Sequence, residues 1–233
     1  MSIGSLLFLP LPELYSRQAI KDARLISNPG CYATSVQSLI APLLPHLDFK
    51  NPPSVFGVSG YSGAGTKTGQ TQDGVPVTLP KISPDSLDGG IKPYSLTDHI
   101  HERESSRHLS RLADNGEELK VAFVPVVAPW FQGILSTVSA PLSHKMTAKE
   151  VRQLFENFYG GNQLVEMMLN VPEIRDVRLK HGVKIGGFQV HSDGRRVVIV
   201  AGIDNLLKGA ATQCIQNLNI AMGYDELAGI LEV

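Results

Sequence analysis

Four runs of branched and aromatic residues constrain this chain most: Val121-Ala-Phe-Val-Pro-Val-Val127, Gly133-Ile-Leu-Ser-Thr-Val-Ser139, Val183 to Val190 and Arg196 to Ala201. Such residues fit a pleated, half-buried surface. Together with Ser54 to Ser59 and the short apolar stretch Ala23 to Ile26, they predict a sheet whose hairpin-like joins make it mixed or antiparallel. Helices must cover it. After Cys31, the residues Val36, Leu39, Ile40, Leu43, Leu44 and Leu47 recur at helical spacing, with Pro42 expected to bend or shorten the helix. Thr147 to Tyr159 opens on a capping box, Thr147 with Glu150, and carries Val151, Leu154, Phe155 and Phe158 on one face. Asn205 to Met222 places Leu207, Ala210, Ala211, Cys214, Ile215, Leu218 and Met222 in an apolar stripe. The expected class is α+β, a mixed, largely antiparallel sheet with flanking helices.

A chain of 233 residues can form one large domain or two small ones, and 42% apolar with 18% charged residues excludes a disordered class. A formal net charge of -1, with Lys and Arg scattered, creates no field that attracts nucleic acid or an anionic membrane. A small-molecule ligand is expected. Two cysteines, Cys31 and Cys214, are too few for a disulfide framework, which fits a reducing compartment. The opening Met1 to Pro10 is apolar in part, but it lacks a basic leading region and is too short to span a bilayer. It also lacks the Arg-rich, amphipathic pattern of a transit peptide.

Ser27-Asn-Pro-Gly30 favours a tight turn, so Cys31 is expected at a helix N-terminus, where backbone N–H groups and the helix dipole favour its thiolate. That suits a nucleophile; the alternative is a buried structural cysteine. Cys214 falls on an apolar stripe and reads as packing. In Thr97-Asp-His-Ile-His-Glu-Arg-Glu104, an extended chain would point His99 and His101 to one face, with Glu104 near enough to orient one of them. The same segment is open to a zinc site or to exposed histidines. His46, His144 and His181 read as surface residues. The loop Gly60-Tyr-Ser-Gly-Ala-Gly65, followed by a Pro-, Gly- and Ser-rich segment to about Pro93, matches neither a Walker A loop nor Gly-x-Gly-x-x-Gly. Its amides, with Lys67, would hold a phosphate or the nicotinamide end of a cofactor, or else it is a plain flexible loop. Asp204 or Asn205 would cap the helix that follows.

Taken in order, Ser27-Asn-Pro-Gly-Cys-Tyr-Ala-Thr34, Gly57-Val-Ser-Gly-Tyr-Ser-Gly-Ala-Gly65, His99-x-His101-x-x-Glu104, Gly133-Ile-Leu-Ser-Thr137 and Asp204-Asn-Leu-Leu-Lys-Gly-Ala-Ala211 resemble N-acetyl-gamma-glutamyl-phosphate reductases, from about Leu11 to Tyr224. The segment Leu96 to Glu104 looks most like the fungal form, which is made as part of a mitochondrial arginine-biosynthesis precursor. The resemblance implies a glyceraldehyde-3-phosphate-dehydrogenase-like catalytic domain and an NADP(H)-dependent reduction of an acyl phosphate through a thioester on Cys31. It implies His101 as general acid/base, with His99 and Glu104 as second choices for orienting it or the substrate. Ser59, Gly60, Ser62, Gly63, Gly65 and Asn205 would lie against the nicotinamide end of the cofactor, with Asn28 and Lys67 near substrate or phosphate. No metal is implied. The small-molecule partner would be the acyl phosphate, the assembly a homo-oligomer, and the location the mitochondrial matrix or otherwise the cytoplasm.

Residues 1–24 are expected to be a remnant of a dinucleotide-binding domain or an unrelated start, 25–204 the catalytic and dimerisation domain, and 205–233 a helix that packs on the dinucleotide-binding domain in the family. The family's doubly wound domain with its glycine-rich first turn has no counterpart before Cys31. Asn205 to Met222 is therefore expected to expose its apolar stripe or meet a substitute partner, and NADPH binding and turnover are expected to be weak. The rival expectations are a non-catalytic dimerisation fragment, an aspartate-semialdehyde dehydrogenase-like reductase, and a zinc hydrolase built on His99, His101 and Glu104.

Overall fold

The computed structural model describes residues 11–71 and 73–230 and the backbone of Leu7–Phe8, so most of the Met1 to Pro10 opening lies outside the described residues. In chain order the strands and helices are β1 (Leu7–Phe8), α1 (Arg17–Lys21), β2 (Leu25–Ile26), α2 (Cys31–Ile40), β3 (Ser54–Gly60), β4 (Thr66–Gln70), β5 (Pro76–Pro80) and β6 (Lys92–Pro93). There follow α3 (Ile100–Ala113), β7 (Ala122–Ala128), β8 (Ile134–Pro141), α4 (Ala148–Phe158), β9 (Val165–Met167), α5 (Ile174–Val177), β10 (Val183–Val190), β11 (Arg196–Ile203) and α6 (Thr212–Met222).

A seven-stranded sheet in the order β6-β7-β3-β8-β11-β10-β9 forms the centre. The β7/β3 and β10/β9 pairs are parallel and the other neighbours antiparallel, which is the α+β, largely antiparallel class expected. Along β8 buried and half-buried residues alternate, as they must when a pleated strand turns one face to a core. That face meets Val36, Leu39 and Ile40 of α2 and Val151 and Phe155 of α4 in one continuous apolar cluster. The other face is thinly covered: Phe56 is exposed, and Val58, Leu135 and Thr137 are half-buried.

Pro42 acts as expected. Its missing N–H ends regular α2 at Ile40, and the chain continues as a 3-10 turn over Ala41–His46. The Thr147–Glu150 capping box forms, and the Tyr159 hydroxyl beyond α4 donates 2.7 Å to the Ser38 carbonyl, tying α4 to α2.

Three expectations are corrected. The Pro-, Gly- and Ser-rich segment after Gly65 is no plain loop, because β4 and β5 pair antiparallel from Thr66↔Pro80 to Gln70↔Pro76. His99 and His101 do not lie on an extended chain: His99 caps α3, and its Nδ1 accepts from the His101 N–H at 3.2 Å. The helix hides from periodicity because it buries only Ser105, His108 and Leu109, and a carboxylate anchors it, Glu102 Oε2 accepting from the Phe123 N–H at 2.9 Å. Cys214 is exposed, not core. On α6 the buried residues are Thr212, Gln213, Gln216, Asn217, Asn219 and Ile220, while Ile215, Leu218 and Met222 face outward.

Candidate active site

Gly30 caps α2 in an extended conformation (φ -67°, ψ 156°) and offers no capping side chain, so the first-turn amides are left for Cys31 and whatever binds beside it. The Glu104 carboxylate accepts from the Gly30 N–H at 3.1 Å and fixes this turn from α3. Cys31 keeps some accessible surface, yet its surroundings are closely packed. Burial pushes its thiol up to about 11, the amides of Tyr32 and Cys31 oppose this, and the Glu104 charge adds to it. The expected resting thiolate is thus corrected: desolvation outweighs the helix amides, and the proton stays on sulfur.

His101 packs on the residue before the nucleophile. A Cβ placed on Gly30 would lie 2.1 Å from His101 Nε2, so only glycine permits the approach. Burial, and then His99, push His101 down to about 4, and its buried Nδ1 has no hydrogen-bond partner. Burial also lowers His99, with Glu102 opposing. Both rings are therefore neutral near pH 7, able to accept a proton and unable to supply one at rest. Their walls are aromatic: ring centroids are 4.9 Å apart for His99 and His101, 6.1 Å for Tyr32 and His101, and 5.4 Å for His99 and Phe123. The Tyr32 hydroxyl donates to the carbonyls of Gly57 and Val126, which locks this wall to β3 and β7. Glu104, read as a partner of a histidine, instead holds the Gly30 turn; burial raises its carboxyl and the Gly30 amide opposes that.

The loop after β3 is close-packed. A Cβ on Gly60 would meet the Phe131 carbonyl oxygen at 2.5 Å, and one on Gly63 the Ser59 hydroxyl at 2.3 Å. Ser59 is buried and donates to the Gly60 carbonyl, while Tyr61 to Gly65 remain half-buried. Asn205 joins this loop to β8: its Nδ2 donates to Ser62 Oγ at 2.9 Å, and its Oδ1 accepts from the Gly133 N–H at 2.7 Å. Capping falls to Asp204, a residue whose importance sequence reasoning understated. It is fully buried and accepts from Leu206 N, Leu207 N, Leu179 N and Gln132 Nε2.

Lys67 sits exposed on β4, two residues beyond the glycine turn. Lys81 also lies beside that turn: its amide donates to the Gly65 carbonyl at 2.9 Å, and its Nζ would be 3.6 Å from a Cβ on Gly65. No sequence signal pointed to it, because the β4/β5 register alone brings it there. Asn28 is exposed and accepts from Asn217 Nδ2 at 2.9 Å. After β11 the chain makes a π-helical turn over Leu207–Ala211, and Gly209 in that turn abuts Cys31, since a Cβ there would lie 2.7 Å from the Cys31 Cβ. The structure thus brings Cys31, His99, His101 and Glu104 together, and joins Asn205 to the glycine loop. Among the described residues no three His, Cys, Asp or Glu side chains gather as metal ligands.

The family profile described as "Semialdehyde dehydrogenase, dimerisation domain" matches residues 31–205, and the chain belongs to that family. Its fold is shared with aspartate semialdehyde dehydrogenase II from Vibrio cholerae, at a TM-score of 0.71 and 20% identity over 95% of this chain and 70% of that one. In sequence it is similar to "Protein arg-6, mitochondrial" of Neurospora crassa, with 51% identity over 94% of this chain and 23% of that protein. It is also similar to the N-acetyl-gamma-glutamyl-phosphate reductase of Xanthomonas axonopodis pv. citri, with 44% identity over 94% of this chain. The chain spans 63% of the length of that reductase.

Proposed function

We propose that this chain is the catalytic and dimerisation part of an N-acetyl-gamma-glutamyl-phosphate reductase, an NADP(H)-dependent oxidoreductase of arginine biosynthesis with a mitochondrial location. One observation carries the reading: a cysteine at a helix start whose preceding glycine is in contact with a half-buried, neutral histidine. In this reading Cys31 passes its proton to His101 as sulfur attacks the acyl phosphate carbonyl, the carbon–oxygen bond to phosphate breaks, and a thioester forms on Cys31. A base with a low proton affinity suits this role only while the sulfur–carbon bond is forming, because the resting pair strongly favours the thiol. His101 would return the proton to the Cys31 sulfur when, after reduction at the thioester carbon, the carbon–sulfur bond breaks and the aldehyde leaves. His99 keeps His101 oriented through the first turn of α3, and Glu104 keeps the Gly30 turn in place.

In this reading the nicotinamide end of NADP(H) would lie against the half-buried Tyr61 to Gly65 loop, whose shape the Ser62–Asn205 hydrogen bond supports. When bound, the cofactor supplies hydride to the thioester carbon. The described residues contain no doubly wound domain to grip the pyrophosphate, so the 233-residue chain should bind NADPH more weakly than about 1 μM. A tighter dissociation constant, read by NADPH fluorescence, would overturn that part. Lys81, whose Nζ lies beside Gly65, would be a cation available to an anionic substrate group. The thinly covered sheet face around Phe56 supports a homo-oligomer.

The test needs no cofactor. N-acetylglutamyl phosphate is added to the chain and to a Cys31→Ser variant, and peptides are analysed by mass spectrometry. Acylation at Cys31 that exceeds acylation at Cys214 supports the reading; a folded chain that acylates neither, or both equally, sinks it. Aspartyl phosphate in a parallel sample separates the aspartate-semialdehyde dehydrogenase alternative. The second reading, a non-catalytic dimerisation module, is favoured by the strongly protonated thiol and predicts no acylation.

A further inference from the structure

We propose that the buried ion pair of Glu13 and Lys208 is a positioning device for the nucleophile, pinning the π-helical turn so that Gly209 seats against Cys31. The proposal rests on the reading of Cys31 as the reactive thiol. Lys208 is wholly buried, and its Nζ donates 2.8 Å to Glu13 Oε1 and 2.7 Å to Gln216 Oε1. Gln216 in turn donates to Glu13 and Glu226, and Arg17 donates to both oxygens of Glu226. The chain before α1, the π turn, α6 and the residues after it thus converge on one ammonium group.

Burying two charges is unfavourable, and an apolar residue of similar length would fill the space as well. What an apolar residue would lack is direction. An ammonium between Glu13 and Gln216 has one acceptable location, and the neighbour of Lys208 in the chain is Gly209. The turn is wide, with Gly209 N donating to the Asp204 carbonyl and Ala211 N to the Leu206 carbonyl, five residues back in each case. Such turns are rare and weakly self-supporting. Asp204 fixes the entry to this one through the amides of Leu206 and Leu207, and Lys208 fixes its middle. Gly209 is then held in the contact that helps keep water from Cys31.

The full chain is compared with Lys208→Met, Glu13→Gln, the double variant, and Glu13→Asp, which shortens the tether but keeps its charge. Thermal unfolding is measured beside the pH profile of iodoacetamide alkylation at Cys31, with Cys214 as the internal reference. The titratable groups facing the thiol, Glu104, His101, Tyr32 and Tyr94, are unchanged in every variant. Lys208→Met alone, which strands Glu13, should lower Tm most, and the double variant should recover much of it. The recovered double variant should alkylate Cys31 about tenfold faster than wild type at neutral pH, the change that one pKa step toward the ordinary thiol produces. Cys214 should not respond. A double variant with recovered Tm and a wild-type Cys31 profile would overturn the proposal. If the double variant fails to fold, Glu13→Asp decides: a faster Cys31 rate supports the tether and an unchanged rate overturns it. Because alkylation needs no acyl phosphate, a failure of the tether and a failure of the thioester reading appear in separate experiments.

Discussion

Helix α2, which begins at Cys31, and helix α6, which follows the π turn that abuts Cys31, solve opposite problems. Every residue from Tyr32 to Ile40 in α2 is buried, and the helix spends that burial on Val36, Leu39 and Ile40 against the sheet. Helix α6 is inverted: it buries Gln213, Gln216, Asn217 and Asn219 and shows Ile215, Leu218 and Met222 to the outside. The contrast teaches that hydrophobic pattern reports what a helix could cover, whereas the ligands of a buried charge decide what it does cover. In α6 the buried Gln216 serves Lys208, Glu13 and Glu226, while Asn219 donates to the carbonyls of Glu226 and Ala228, and the apolar stripe faces outward.

The contrast is open to being broken, and the largest expected effect is in α2. Leu39→Ala should cost about 2–5 kcal/mol of stability in urea unfolding, since the side chain is fully enclosed; a loss under about 1 kcal/mol would mean that α2 is not the load carrier described. Acid comes next. Burial pushes both His101 and His108 down to about 4, while the unfolded chain titrates near 6.5, so unfolding takes up protons between these values. Stability should therefore fall as pH drops from about 6.5 to about 4, by about 3 kcal/mol for each histidine. A flat urea midpoint across that window would refute their burial.

The smaller effects belong to α6. Gln216→Leu should destabilise by about 1–3 kcal/mol despite adding apolar surface, because it strips hydrogen bonds from buried groups. If it stabilises instead, the inverted face of α6 is wrong. Leu218→Ser should change stability by less than about 0.5 kcal/mol, the range of ordinary surface substitutions, while reducing binding of a hydrophobic dye.

Much of the fold was legible in the sequence. The strand runs lie within a residue or two of β3, β7, β8, β10 and β11, and Thr147–Glu150 announced α4 because a capping box is a local, reciprocal arrangement. Helix α3 was not legible, because a sequence as charged as Ile100–Ala113 has too few apolar positions to show a period. The π turn was equally silent: its glycine answers to the Cys31 Cβ across space, not to its own neighbours. At the site, the Gly30 amide as the partner of Glu104 and the place of Lys81 beside Gly65 were not readable. Those depended on α3 and on the β4/β5 register, neither of which local pattern disclosed.

The margins of the large sheet carry a further consequence. One is the two-residue β6, which ends in Pro93, and the other is the three-residue β9. Neither offers a run of free amides long enough to template another strand, and proline has no amide to give. Neither rim strand is thus a ready template for lateral growth into fibrils.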